Sequence, residues 1–163
     1  MSNQIPQKMK KILIAICVAG IFFSCKQTTP KIVTAKAPID SLITNYNNAW
    51  NNHDSIAIRN LFAHEALLID DEIIAKNVDE ISATWIKPYY RFVNNISLAK
   101  MQEWSSGDRA GFTGTYILNL TMKNAKKKDK IMKIKGTCTM IWMKNDKGDW
   151  KIATNDIHSA PGK

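Results

Sequence analysis

The sequence predicts an α+β domain: three N-terminal helices packed on one face of a curved antiparallel sheet. Three observations carry this. Apolar residues between Ile39 and Trp85 recur with helical spacing, first at Ile39, Leu42, Ile43, Tyr46, Ala49 and Trp50. From Val93 onward the period changes to two, the mark of strands with one covered face. The alternating stretches then follow one another through short turns, as in a meander. Helices first and sheet second is the order of an α+β domain.

Taken in order, the first helix runs to Asn51, with Asn45, Asn47, Asn48 and Asn51 on its wet side. A break at Asn52-His53-Asp54 follows. The Asp54 carboxylate is placed to cap a second helix through Phe62, buried through Ile58, Leu61 and Phe62. Ala66 to Ile69 is a short strand, and Asp70-Asp71-Glu72 reads as a solvated turn. Asn77-Val78-Asp79-Glu80 has the form of a capping box, opening a third helix through Lys87 with Ile81, Thr84 and Trp85 inward. Pro88, with no amide hydrogen, ends or kinks it. Ile96 to Trp104 is the next strand. In the strand from Arg109 to Met122, Phe112, Tyr116, Leu118, Leu120 and Met122 share one face. In that from Ile131 to Lys144, Met132, Ile134, Cys138, Met140 and Trp142 do so. Trp150 to Ser159 is the last strand.

The 163 residues suffice for one domain with a real core. The formal charge of +9 includes a leader, residues 1–24, with Lys8, Lys10 and Lys11 before the apolar run 12–23. This is the pattern of a secretory signal, too short for an ordinary spanning helix. Its removal takes away three lysines and no acids, so the charge falls to +6. Ser24 followed by Cys25 resembles the lipobox of bacterial lipoproteins, with Phe22 where Leu is commoner. The resemblance implies cleavage before Cys25 and lipidation on it. Several acyl chains, at about 0.8 kcal/mol per buried methylene, would hold the protein on a membrane. Lys26, not Asp, follows the cysteine, which by the same resemblance points to the outer membrane of a Gram-negative cell envelope. Residues 25–37 read as a tether and 38–160 as the domain. Cys138 alone remains in the mature domain, so no intramolecular disulfide forms there. Its place in an apolar strand predicts an inert core thiol.

The order of elements, with its motifs, resembles the nuclear transport factor 2-like superfamily, in its SnoaL-like branch. The likeness is carried by Ala49-Trp50 and Asn52-His53-Asp54, then Leu61-Phe62-Ala63 with Ala66-Leu67-Leu68, and Gly114-Thr115-Tyr116. It continues in Ile141-Trp142-Met143-Lys144, Gly148-Asp149-Trp150-Lys151-Ile152 and Asp156-Ile157-His158-Ser159. It covers residues 38 to 160. It implies a cone-shaped cavity between helices and sheet, and pairing of two copies through the outer sheet face as a homodimer. Members include isomerases, a dehydratase and a hydrolase, and also binding or assembly modules without chemistry, so fold alone assigns no activity.

Three readings follow. In the first, the domain is exported, tethered to the membrane through Cys25, and binds a small, largely apolar ligand in the cone. Tyr46, Trp50, Trp85, Tyr116 and Trp142 are its expected lining. In the second, it is an isomerase, dehydratase or hydrolase. Alternation from Trp150 puts Ile152, Thr154, Asp156 and His158 on one face. With that face turned into the cone, Asp156 would be a general base and His158 a proton shuttle. Against this stands the plainer reading of an exposed strand end. In the third, it is a non-catalytic dimeric assembly module. His53, His64 and His158 form no recognised metal-ligand spacing, so no metal or other cofactor is expected. The lysines at 123, 126, 127, 128, 130, 133 and 135 form the strongest charge feature. In an exported protein, and without interleaved aromatics, they read as a solvated hairpin tip suited to anionic lipid or polysaccharide, not nucleic acid.

Overall fold

The computed structural model describes residues 36–123 and 128–160; the leader, Cys25 and most of the tether lie outside them. Helices α1 (Ile39–Asn51) and α2 (Ser55–Asn60) come first. Strands β1 (Phe62–Asp70) and β2 (Ile73–Ala75) follow. Helix α3 (Val78–Ile81) then passes through a π-helical turn (Ser82–Ile86) into α4 (Lys87–Tyr89). Strands β3 (Val93–Ser106), β4 (Arg109–Met122), β5 (Lys130–Lys144) and β6 (Trp150–Ser159) complete the domain.

The six strands form one curved sheet in the order β2-β1-β6-β5-β4-β3. The meander β3 to β6 is antiparallel throughout. The sheet as a whole is mixed, because β1 pairs with β6 in parallel. This corrects the purely antiparallel sheet expected from the sequence. The helices also are not all N-terminal to the sheet: two strands stand between α2 and α3. The chain crosses from β1 to β6 only after the whole meander is laid down, and no local pattern announces that pairing.

The predicted starts hold because local hydrogen bonds set them. The Asp54 carboxylate accepts from the amides of Ile56 (3.0 Å) and Ala57 (2.9 Å), capping α2. Asn77 accepts from Asp79 (3.0 Å) and Glu80 (2.8 Å), while Glu80 reaches back to the Lys76 amide (2.8 Å). Ends differ more. Helix α2 stops at Asn60, and Phe62 opens β1, its ring buried in the core. The third helical run does not end at Lys87 but continues past Pro88. The π-helical turn ahead of Pro88 widens the helix, where the proline's missing donor would otherwise break the ladder. The extra residue also shifts the phase. Trp85 and Ile86 are buried, whereas Thr84 turns to solvent and donates to the Glu80 carbonyl (2.8 Å is typical; here 2.7 Å).

One side chain joins the helix layer to the sheet. Asn51, last residue of α1, donates from Nδ2 to the Ile96 carbonyl (3.1 Å) and accepts from the Ile96 amide (2.8 Å). Ile96 lies where the register of β3 against β4 is irregular, between Asn94 and Ser97, beside Asn95 at φ 51°. The irregularity leaves both backbone groups of Ile96 free for Asn51. Ala37, at the end of the predicted tether, is buried as well, its amide donating to Ser105 Oγ (3.1 Å).

Asn51→Ala would leave two half-buried backbone groups without partners. A loss of about 1–3 kcal/mol is expected, read as a lower urea midpoint at unchanged slope. An unaltered midpoint would show that water replaces the clamp.

Candidate functional site

Between α1, the third helical run and the concave face of the sheet lies a cavity of about 240 Å³. Helix α1 contributes Tyr46 and Trp50, four residues apart and so on one face. Trp85 meets Trp50 edge to face at 4.7 Å between centroids, interplanar angle 75°. Across from them stand Tyr116, Leu118 and Leu120 of β4 with Ile134, Cys138 and Met140 of β5. The walls are thus mostly apolar, with few polar groups.

Those polar groups are specific. Asp70, at the end of β1, points into the cavity and accepts from Trp85 Nε1 at 2.6 Å. Burial raises the Asp70 pKa; the Trp85 bond opposes the rise and the neighbouring Asp71 charge adds to it. Tyr116 Oη and Ser159 Oγ lie 3.1 Å apart at the same wall. Burial raises the pKa of Tyr46 far above the ordinary tyrosine range, against the influence of nearby Asn155 and Trp50. Asn155 is 0% exposed and lies behind the wall, beside Tyr46. Burial pushes the Cys138 thiol up to about 12, so it stays protonated and poorly reactive.

Tyr46, Trp50, Trp85 and Tyr116 line the cavity. Trp142 does not: it is buried and stacked on Phe112 at 5.6 Å between centroids, part of the solid core beside the cavity. Asp156 and His158 are placed differently from the alternation argument. In the pairing of β5 with β6, Trp142 opposes Ile152 but Ile141 opposes Thr154. Two residues of β6 are spent against one of β5, and the side-chain phase inverts. Ile152, Asn155 and Ile157 are therefore the buried ones, while Asp156 and His158 face outward. The two do meet, His158 Nε2 lying 3.1 Å from Asp156 Oδ1, but on the convex face, with the His158 side chain 59% exposed. They share that face with Thr113 and Thr139, whose hydroxyls lie 3.1 Å apart.

Asp70 is the residue that sequence reasoning missed. Its signal was present: Ala66 and Leu68 are buried on the inner face of β1, and period two carries that face to Asp70. The Asp70-Asp71-Glu72 run masked it, because three acids in a row look like a solvated turn. His53 proves to be a joint. It takes φ 53°, and its Nδ1–H donates to the Tyr90 carbonyl at 2.7 Å. Among the described residues no group of three or more histidine, cysteine or acidic side chains is arranged to hold a metal.

Comparison with known proteins comes from structure alone. No family model and no curated protein matches the chain. A ketosteroid isomerase-like protein from Erwinia carotovora atroseptica aligns with a TM-score of 0.63 and 16% identity, over 76% of this chain and 95% of its own. A nuclear transport factor 2-like superfamily protein from Salmonella enterica gives 0.62 and 15%, over 77% and 89%. A nuclear transport factor 2-like protein of unknown function from Shewanella oneidensis gives 0.56 and 21%, over 74% and 95%. At these identities the likeness is one of fold.

The raised Asp70 pKa has a stability consequence. A carboxyl that holds its proton more tightly when folded favours the native state at low pH. That contribution is lost as pH rises from the unfolded value through the native one. In Asp70→Asn the loss disappears. Urea midpoints of the variant are expected to fall less than those of wild type across that window, and to match or exceed them at neutral pH. Parallel pH profiles would show that Asp70 is solvated.

Proposed function

We infer from this nuclear transport factor 2-like fold and its cavity that the protein is an exported, membrane-tethered domain that binds a small, largely apolar ligand. The observation that carries the reading is the cavity that the side chains leave between the layers. An interior free to close would be packed, since voids forfeit dispersion contacts. This one is held open by two layers and walled by aromatic and aliphatic groups with a few convergent polar ones, the usual constitution of a ligand site. Its volume exceeds the roughly 150 Å³ apolar hollow that holds one benzene, which sets the scale of the ligand's apolar part. The Asp70 carboxyl and the Tyr116 and Ser159 hydroxyls on the wall would favour a ligand with one hydrogen-bonding group.

The neutral fluorophore 1-aminoanthracene tests this. Binding should raise its emission and stabilise the fold, by about 2.7 kcal/mol at a hundredfold excess over Kd. Leu118→Trp, which fills the space, should lower the affinity at least tenfold while keeping the fold. Equal binding by the variant would place the probe elsewhere. For the tether, Cys25→Ala is expected to move the protein from the membrane fraction to the soluble periplasmic one, or to block processing. Membrane attachment unchanged even after a high-salt wash, which screens electrostatic contacts with head groups, would rule out the lipid anchor.

Asp70 favours a second reading, proton transfer in an isomerase or dehydratase, in keeping with the name of the ketosteroid isomerase-like neighbour. One carboxyl in a mostly apolar cavity, with its pKa raised, is suited to general acid–base work. Asp156 and His158 cannot serve a substrate in the cavity from the convex face. Under this reading, wild type accelerates deuterium uptake next to the carbonyl of a small cyclic ketone, and Asp70→Asn loses the effect while still binding the probe. No acceleration by wild type would leave binding alone.

A further inference from the structure

We propose that the β4–β5 hairpin docks on an anionic bilayer and passes an apolar ligand from it along the inner sheet face into the cavity. The ligand part of this rests on the binding function inferred above. The docking part stands on its own geometry.

The inner face of the hairpin continues the cavity wall outward. Tyr116, Leu118 and Leu120 line the cavity, and Met122 is the next residue of β4 on that face. Opposite them, Ile134 pairs with Leu118 and Met132 with Leu120. Exposure rises along this row, from buried Tyr116 through half-buried Leu118 and Leu120 to Met122 at 48%. The outer face of the same hairpin carries Ile131, 66% exposed and paired with Thr121. The far end of the hairpin therefore presents apolar side chains on both faces.

Lysines accompany them in the sequence. Between 123 and 135 the sequence holds seven lysines and one acid, Asp129. Lys123 pairs with Asp129 at 2.6 Å; Lys128, Lys130, Lys133 and Lys135 are exposed. Exposed apolar groups among lysines match the interface of an anionic bilayer, where head groups attract the charges and the apolar side chains enter the acyl boundary. Single-stranded nucleic acid would instead require aromatic platforms for its bases. No aromatic residue occurs from Ile117 to Ile141.

The test compares the full chain with its Lys128→Glu/Lys130→Glu/Lys133→Glu variant, all three changes being on exposed positions. Partition onto vesicles of phosphatidylcholine and phosphatidylglycerol in equal parts is measured by co-sedimentation. The N-terminal segment contributes equally to both proteins, so the ratio of partition coefficients reports the hairpin. A fall of about a hundredfold is expected from loss of three lysines beside an anionic surface, with no such fall on phosphatidylcholine alone. Uptake of 1-aminoanthracene from the mixed vesicles should slow at least tenfold in the variant, and affinity for free probe should stay the same. Equal partition by the two proteins, or tighter binding of wild type to an oligodeoxynucleotide than to the vesicles, overturns docking. A partition difference with equal uptake rates overturns the transfer route. Failure of both proteins to bind free probe sinks the cavity reading, while a partition difference still supports the docking hairpin.

Discussion

The two hydrogen bonds between Asn51 and Ile96 are the constraint on which the arrangement of layers depends. A helix lying on a sheet is held mainly by apolar contact, which is strong but indifferent to sliding. A side-chain amide matched to one residue's N–H and C=O fixes a single position along the strand. The clamp sits at the last residue of α1, so it also fixes Trp50, the residue before it, against Trp85. Tyr46, one turn earlier, is carried over the concave face by the same geometry. The irregularity in β3 that exposes Ile96 to Asn51 is thus part of how the helix layer is placed.

The cavity follows from that placement. The clamp stands at the cavity, since Ile96 is one of its lining residues, and the core becomes solid towards the other end of β4, where Phe112 stacks on Trp142. Towards the β4–β5 hairpin the strands run beyond the helical cover, and inward-facing residues become half-exposed. Burial then changes the chemistry of what lines the space. Asp70 keeps its proton more readily, and Cys138 is quenched as a nucleophile. An apolar ligand with one polar group would meet complementary groups; a freely solvated ion would meet little to replace its water.

The convex face shows how far one residue can move a functional argument. Asp156 and His158 are adjacent on one face in sequence and in space, as alternation requires. Which face that is depends on the extra residue that β6 accommodates between Ile152 and Thr154. Such an insertion leaves the composition of the strand untouched and inverts everything after it. The aromatic lining was more legible: Tyr46 and Trp50 follow from helical spacing alone, and Tyr116 from alternation in an unbroken stretch of β4. Trp142 shows the limit. Its inward direction was right, but direction does not say whether a side chain meets a void or another ring.

The sequence by itself determined the local pieces of this protein. Asp54 and Asn77 start helices because their side chains satisfy amides two and three residues away. The meander from β3 to β6 is written in alternation and turns, and the basic hairpin in its lysines. These depend on neighbours in the chain. The tertiary structure decided the parallel pairing of β1 with β6, the phase of β6 and the burial of Asp70. Each turns on how separate segments meet: β1 with β6 across some ninety residues, as in Ile69 with Asp156, β6 with β5 through the residue inserted between Ile152 and Thr154, and Asp70 with Trp85 of the next helical run. A short stretch of sequence records its own periodicity, but not the register in which a distant strand will meet it, and register is what sends a carboxylate inward or out.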